Sequence, residues 1–356
     1  MPSQRTTCPI TIFTPSFFDE ANTNAQNLTV KEIVARLPEQ LFRVIGLHDS
    51  APDPRITARK NTTLLASHKH GNALRWLGSV LRFQPDIYFY PRHGPLDKAV
   101  FSLRRARLLK SAVVTHVVMV MNSATATGLT TRSIREGSAV FANSSYVAQT
   151  VYDQFGVKAN VIFNGIDGRF FYPAADLGQQ GARQPPAVLY AGSFQKRKRV
   201  DLVIQQAARW PNARFRLAGG GETQPACREL SEQLGCRNVS FLGHLTPSQL
   251  GDEMRQSDVF LFPSILEGHP QVLGQAAACG LPAIAMNVYR PEYVLHAESG
   301  FLVESDAELA DSLSMLLGNP DLRRSMSAAA VRHSRQFDWD HIAQQWAEVF
   351  QTVVRR

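Results

Sequence analysis

The sequence predicts an α/β protein built from two Rossmann-like, doubly wound parallel sheets. Three observations carry that prediction. Short apolar runs alternate with helical patterns along the chain. One stretch near residue 180 lacks periodicity and is rich in Pro, Gly, Gln and Ala. The same alternation then restarts. The length, 356 residues, suits two domains.

In order, PITIFTP reads as a strand, NLTVKEIVARL as a helix and FRVIGLH as a strand. NALRWLGSVLRF precedes PDIYFYP, LDKAVFSLRRARLLK precedes SAVVTHVVMV, and AVFANS precedes SYVAQTVYDQFG. The aperiodic stretch, Tyr172 to Ala187, reads as a linker. Beyond it come AVLYAGS, VDLVIQQAARW, ARFRLAGGG, VSFLGHL, SQLGDEMRQS, DVFLFPS, PQVLGQAAACG and LPAIAMN. The terminal DWDHIAQQWAEVFQTVVRR is an amphipathic helix. The expected division is a first domain over 1–175, joined by the C-terminal helix 338–356, and a second over 176–337. Open parallel sheets bind ligands beyond the carboxyl ends of their strands, so two facing sheets predict a deep cleft between them.

Composition narrows the class. Hydrophobic residues make up 44% of the chain, which is enough for real cores and excludes a disordered protein. A net charge of +8 favours anionic partners such as nucleotides or acidic lipid headgroups, and equally serves plain solubility. Nucleic acid is not an expected partner, because the basic residues lack a recognised motif and aromatic interleaving. Cys8, Cys227, Cys236 and Cys279 have no metal or CxxC spacing and read as reduced thiols. The start MPSQRTTCPITIF has no apolar core of signal-peptide length, and AVVTHVVMVM is far short of a span of roughly 20 residues. The expected location is cytoplasmic, with peripheral attachment to the inner face of the cytoplasmic membrane compatible.

The loops after strands are where chemistry is expected. FPSILEGHPQVLGQAAACGLP places Glu267 outside a helix that begins at Pro270, with Gly280 and Pro282 as its stop. Free N–H groups from Gly268 through His269, Pro270 and Gln271 to Val272 would make an anion site, though Pro270 itself has none to give. Glu267 suits sugar hydroxyls there; it reads equally as a solvated loop acid. In YAGSFQKRKRVDLVI, Gly192 turns the chain and Lys196, Arg197, Lys198 and Arg199 cluster, either to neutralise a phosphate or as a solvated basic turn. LAGGGET is no dinucleotide fingerprint; it lets a ligand approach the backbone or makes a tight turn. Asp338 and Asp340 have metal-pair spacing but fit a helix cap better. His116, in an apolar strand, reads as a packed residue or a catalyst, with His93 as competitor.

These loops together resemble the retaining GT-B glycosyltransferases of the group-1 family (GT4), best across Asn143 to Phe350. NSSYVAQTVYDQFG and VIFNGIDGRFFYP resemble the family's Ser-rich strand end and Asn-Gly-Val/Ile-Asp segment. YAGSFQKRKRVDLVI resembles its donor-phosphate motif, and SDVFLFPSILEGHPQVLGQAAACGLP its Pro-Ser…Glu-Gly-x-Pro…Glu-Ala signature. The resemblance implies that Lys198 contacts the donor diphosphate and that Glu267 lies near the donor sugar. It further implies that Gly268 to Val272 cover the phosphates, that Gly243, His244 and Leu245 adjoin the base, and that His116 lies near the acceptor and the donor sugar. Four positions depart from the pattern: Gln275 for the second glutamate, Ser193 for the phosphate-motif arginine, Asn24-Ala25 for an acceptor-side Gly-Gly, and Tyr289-Arg290 for the Gly-Gly before Pro291-Glu292.

The implied function is transfer of a hexose from a UDP- or GDP-sugar to an acceptor hydroxyl, with retention and without metal or cofactor. The implied acceptor is a saccharide or a lipid-linked molecule, in glycan, glycolipid or cell-surface polysaccharide synthesis. Basic and apolar residues of the amino half, including Lys69, Arg75, Trp76, Arg104, Arg105, Arg107 and Lys110, suit an anionic membrane surface. The alternatives are a non-catalytic GT-B-like nucleotide- or glycan-binding protein and a sugar-nucleotide epimerase.

Overall fold

The structure, a computed structural model, describes residues 9–20, 25–67, 72–92, 94–122, 124–125, 128–175 and 185–355. Cys8, Asn24, Lys69, His93 and the 176–184 part of the expected linker lie outside the described residues. The chain forms two compact units, Met1–Asn164 with Trp339–Arg356, and Gly165–Asp338.

In the first unit the strands are β1 (Ile10–Phe17), β2 (Phe42–His48), β3 (Thr62–Ala66), β4 (Ile87–Phe89), β5 (Ala112–Val117), β6 (Ala139–Ala142) and β7 (Asn160–Val161). They pair in parallel in the order β3-β2-β1-β4-β5-β6-β7. The helices are α1 (Ala25–Arg36), α2 (Pro54–Thr57), α3 (Asn72–Phe83), α4 (Pro95–Arg105), α5 (Gly128–Arg135) and α6 (Ser145–Phe155). Strand residues alternate between two cores, as a period of two demands. Ile12, Val44, Ile87 and Phe89 join one core, with Val30, Ile33 and Val34 of α1. Phe13, Ile45 and Tyr88 join the other, with Val80 of α3 and Val100 and Phe101 of α4.

The second unit has β8 (Ala187–Ala191), β9 (Arg214–Ala218), β10 (Val239–Gly243), β11 (Val259–Phe262), β12 (Ala283–Met286) and β13 (Gly300–Val303), in the order β10-β9-β8-β11-β12-β13. Its helices are α7 (Val200–Arg209), α8 (Gln224–Gln233), α9 (Pro247–Arg255), α10 (Gln271–Ala278), α11 (Asp306–Gly318) and α12 (Pro320–Ser334). The last helix, α13 (Trp339–Arg355), returns to the first unit. Its Trp346 is fully buried, with ring centroids 5.0 Å from Phe89 and 5.1 Å from Phe141. Asp340 joins it to α1 through Arg36, Nε to Oδ1 at 2.6 Å, which gives that acid a structural partner.

The structure differs from the sequence prediction in three respects. The units divide at Asn164/Gly165, not at 175/176. The segment after Asn164 is held on the second unit: Ile166 N–H donates to Phe337 O at 2.7 Å, and Arg255 of α9 donates to Phe170 O at 3.0 Å and lies 4.0 Å over the Tyr172 ring. Second, α2, β3, α5, β7, α8, β13, α11 and α12 are additional elements; the buried Leu309, Leu313, Leu316 and Leu317 of α11 do follow helical spacing. Third, the return of α13 starts at Trp339, one residue later than expected.

Candidate functional site

The strand order of the second unit reverses between β8 and β11, and a doubly wound sheet opens a crevice beyond the strand ends at that point. The chain places Lys198 after β8 and Glu267 after β11, one on each side of it. A 3-10 turn, Lys196–Lys198, follows β8, and Arg199 ends it in the left-handed region at φ 52°. That turn folds the Lys198 side chain inward, leaving the residue 8% exposed.

Glu267 is the hub of the crevice. Its Oε1 meets Lys198 Nζ at 2.5 Å and Arg197 Nη1 at 2.8 Å, and accepts from Ser264 Oγ at 2.5 Å. Arg197 also donates to Leu266 O at 2.6 Å, and Ile265 N–H donates to Arg197 O at 3.0 Å, so the two loops are tied by backbone as well as charge. Lys198 Nζ lies 4.9 Å over the Phe262 ring. Burial pushes the Lys198 ammonium below its ordinary pKa and Arg197 adds to this, while Glu267 opposes both. Two cations thus face one carboxylate, Lys198 and Glu267 largely buried and Arg197 partly exposed, an arrangement with surplus positive charge for an anion. Arg199, the last of the four clustered basic residues, instead pairs with Asp306 at 2.5 Å; Arg197 is the arginine that reaches Glu267.

The glycine-rich stretch serves the backbone. A Cβ on Gly219 would lie 2.0 Å from Gly192 O, and one on Gly221 would lie 2.6 Å from Phe194 O; both glycines have positive φ. Gly192 N–H donates to Ala218 O at 3.0 Å and Phe194 N–H to Gly220 O at 2.9 Å. The glycines therefore let the loops after β8 and β9 lie against each other. Gly219 N–H continues the contact to Gly243 O at 2.7 Å, and a Cβ on Gly220 would lie 3.2 Å from His244 Nε2. Gly192, Ser193, Gly243 and His244 are thereby gathered at one end of the sheet, with Leu245 following.

Helix α10 begins at Gln271 with Pro270 as its N-cap. The first N–H groups of an α-helix have no intrahelical acceptor, so Gln271 and Val272 present donors at this end. Gly268 and His269 lead into it. The His269 imidazole is turned into the interior: it stacks on Tyr293 at 4.0 Å and faces Glu292 at 3.7 Å, so only its backbone belongs to the crevice. Gln275 is half-buried one turn into α10.

His116 belongs to the first unit. It occupies the penultimate position of β5, 6% exposed, with ring centroids 5.0 Å from Trp346 and 5.5 Å from Tyr90. Burial lowers its pKa to about 3, against a smaller opposing effect of the Ile162 backbone. The imidazole is therefore neutral near pH 7 and a poor proton acceptor. Since the folded pKa lies below the unfolded value of about 6.5, the unfolded chain binds the extra proton between those values. Stability should fall as pH drops from about 6.5 toward 3, by up to about 1.4 kcal/mol per pH unit from this group. His116→Phe should flatten that part of the denaturant-midpoint profile; an unchanged profile would show that the ring titrates normally.

Of the acceptor-side pair, Ala25 is the first residue of α1, and Asn24 lies outside the described residues. Among the described residues, no group of three or more His, Cys, Asp or Glu is arranged to hold a metal, Cys227, Cys236 and Cys279 form no disulfide, and no helix is long and apolar enough to cross a membrane. Sequence reasoning missed Ser264, Phe262 and Tyr190. Ser264 lay in a quoted motif, but only the fold shows its hydroxyl on Glu267. Tyr190 is the penultimate residue of β8, and its hydroxyl donates to Ser193 O at 3.0 Å, fixing the turn after Gly192.

Residues 177–333 match the family model "Glycosyl transferases group 1". The chain is 28% identical over 224 residues to the D-inositol 3-phosphate glycosyltransferase of Corynebacterium urealyticum, covering 57% of this chain and 53% of that protein. It thus spans about half the length of the curated relatives it matches. Its fold is similar to sucrose-phosphate synthase from Thermosynechococcus elongatus, with TM-score 0.77, 18% identity and coverage of 98% and 99% of the two chains. It is also similar to Anabaena HepE in complex with UDP-glucose, with TM-score 0.74, 20% identity and coverage of 96% and 99%. Over residues 177–333 the chain is similar to the group 1 glycosyl transferases, and its two parallel-sheet units have the GT-B fold.

Proposed function

We propose that the protein transfers a hexose from a UDP- or GDP-sugar to an acceptor hydroxyl, with retention of configuration and without a metal. The observation that carries this reading is the meeting of Lys198, Arg197 and Glu267 at the point where the strand order of the second unit reverses, beside the amino end of α10. The cations and helix N–H groups would hold the diphosphate and stabilise the charge that grows on it as the sugar C1–O bond breaks. The acceptor oxygen would bond to C1 on the face the diphosphate leaves, and its proton would pass to a phosphate oxygen. Glu267 would hold sugar hydroxyls. The UDP-glucose bound by HepE and the names of the curated relatives favour this over a non-catalytic role or epimerisation.

Gln275 would accept a ribose hydroxyl from α10. A carboxylate at that position is the stronger acceptor but adds negative charge toward an anionic ligand. Gln275→Ala should weaken nucleoside diphosphate binding by about 0.5–2 kcal/mol in a calorimetric titration. Unchanged affinity would make Gln275 a helix-surface residue. The reading as a whole is tested by thermal-shift screening against UDP- and GDP-sugars, followed by product analysis with saccharide acceptors. A stabilising donor that is consumed only with acceptor supports it; conversion of UDP-GlcNAc without acceptor would indicate an epimerase.

The acceptor is proposed to be a saccharide or lipid-linked molecule presented at an anionic membrane. The outward face of α3 supports this: Leu74 is 77% and Leu81 40% exposed, with Arg75 and Arg82 beside them, and the helix contains no acid. Arg105, Arg107 and Lys110 are exposed nearby in sequence, as is Leu108. Arg104 is not part of that surface, because its guanidinium is half-buried and donates to Glu136 O and Ser138 Oγ, both at 3.0 Å. Leu74→Glu with Leu81→Glu should abolish flotation with phosphatidylglycerol vesicles while leaving the fold intact. Equal flotation of the variant would remove α3 from the contact.

A further inference from the structure

We propose that Tyr289 is a donor-selecting residue whose hydroxyl binds the transferred sugar beside Glu267. The inference rests on the nucleotide-sugar reading above and adds a specificity determinant to it.

Tyr289 ends a 3-10 turn, Asn287–Tyr289, directly after β12. β12 pairs in parallel with β11, with Phe262 opposite Ala285, so this turn and the Ser264–Glu267 loop leave adjacent strands at the same end of the sheet. The residue is 1% exposed, and its hydroxyl oxygen is buried without a hydrogen-bond partner among the described residues. Burial raises the pKa of the phenol well above its ordinary value, with the Glu267 charge adding to this, and so keeps it protonated, hence a donor. The following residue, Arg290, takes the left-handed backbone at φ 46° and is exposed, so the turn points its tyrosine inward and its arginine outward.

A buried hydroxyl with no partner is unfavourable for the fold, and phenylalanine would fill the same space without it. Such a group is readily explained if its partner arrives with the ligand. The turn that carries the hydroxyl leaves the strand beside the one that leads to Glu267, the carboxylate assigned to the sugar, so a sugar hydroxyl is the fitting partner. Sites that hydrogen-bond a substrate hydroxyl reject analogues lacking it far more strongly than apolar pockets reject an extra group. Tyr289 would thus select hexoses carrying a free hydroxyl at the carbon it faces.

The test compares wild type with Tyr289→Phe for binding of UDP, GDP, UDP-glucose, GDP-mannose and the monodeoxy analogues of whichever sugar nucleotide binds. Wild type should prefer the parent sugar over one monodeoxy analogue by tenfold or more. Tyr289→Phe should erase that preference, hold the bare nucleoside diphosphate within about twofold, and leave the melting temperature of the free protein equal or higher. Intact nucleoside diphosphate binding with unchanged sugar preference would overturn this inference alone. A lowered melting temperature with unchanged preference would do the same, showing the hydroxyl satisfied within the free protein. Failure of wild type to bind either nucleoside diphosphate would overturn both it and the nucleotide-sugar reading.

Discussion

Lys198→Ala is expected to reduce turnover by roughly 10²–10³-fold while the second unit stays folded. The ammonium is the buried cation at the crevice, and losing one preorganised contact to a departing charge raises a barrier by about 2.7–4 kcal/mol. Deleting half of a buried ion pair is ordinarily damaging because it strands the other charge. Here Glu267 keeps Arg197 Nη1 at 2.8 Å and Ser264 Oγ at 2.5 Å, so the carboxylate is not abandoned. The expected signature is a large fall in kcat with a near-normal unfolding midpoint. A folded variant with near-normal rates would remove Lys198 from the reaction.

Glu267→Gln should lower transfer by roughly 10- to 100-fold, the scale of a charged hydrogen bond, and change its pH dependence. Lys198 must be protonated to hold a diphosphate. Burial already lowers its pKa, and Glu267 is the group that holds it up. Removing the carboxylate charge lowers that pKa further, so the active cation is lost at lower pH as pH rises. The alkaline limb of kcat/KM should therefore move toward neutrality in the variant, while nucleoside diphosphate binding near pH 6 stays largely intact. An unshifted limb, or equal loss of sugar transfer and nucleotide binding, would give Glu267 a purely structural role.

The sequence showed the strands and loops of the second unit well, because β8, β11 and β12 are buried runs of apolar residues bounded by Gly, Pro and Ser. It could not show that Glu267 grips Lys198 and Arg197. That contact joins positions some 70 residues apart and depends on β8 and β11 being neighbours. The reading of LAGGGET stayed open for a similar reason: its glycines answer to the backbone of the loop after β8, which no local pattern encodes. The domain boundary was misplaced because residues 165–172 carry no periodic apolar pattern; they are held by backbone hydrogen bonds, by Arg255 and by the isolated burial of Ile166 and Phe171. His116 was legible only as an alternative. The fold packs it between Trp346 of α13 and Tyr90, and the chain passes through the whole second unit before supplying that tryptophan.

The central claim is that the crevice between the ends of β8 and β11 holds a nucleoside diphosphate. Isothermal titration of wild type and Lys198→Ala with UDP and GDP tests it most directly. The account predicts one-to-one binding of at least one of the two by wild type, weakened tenfold or more in the variant. Binding of neither, or equal affinity in both proteins, would contradict it.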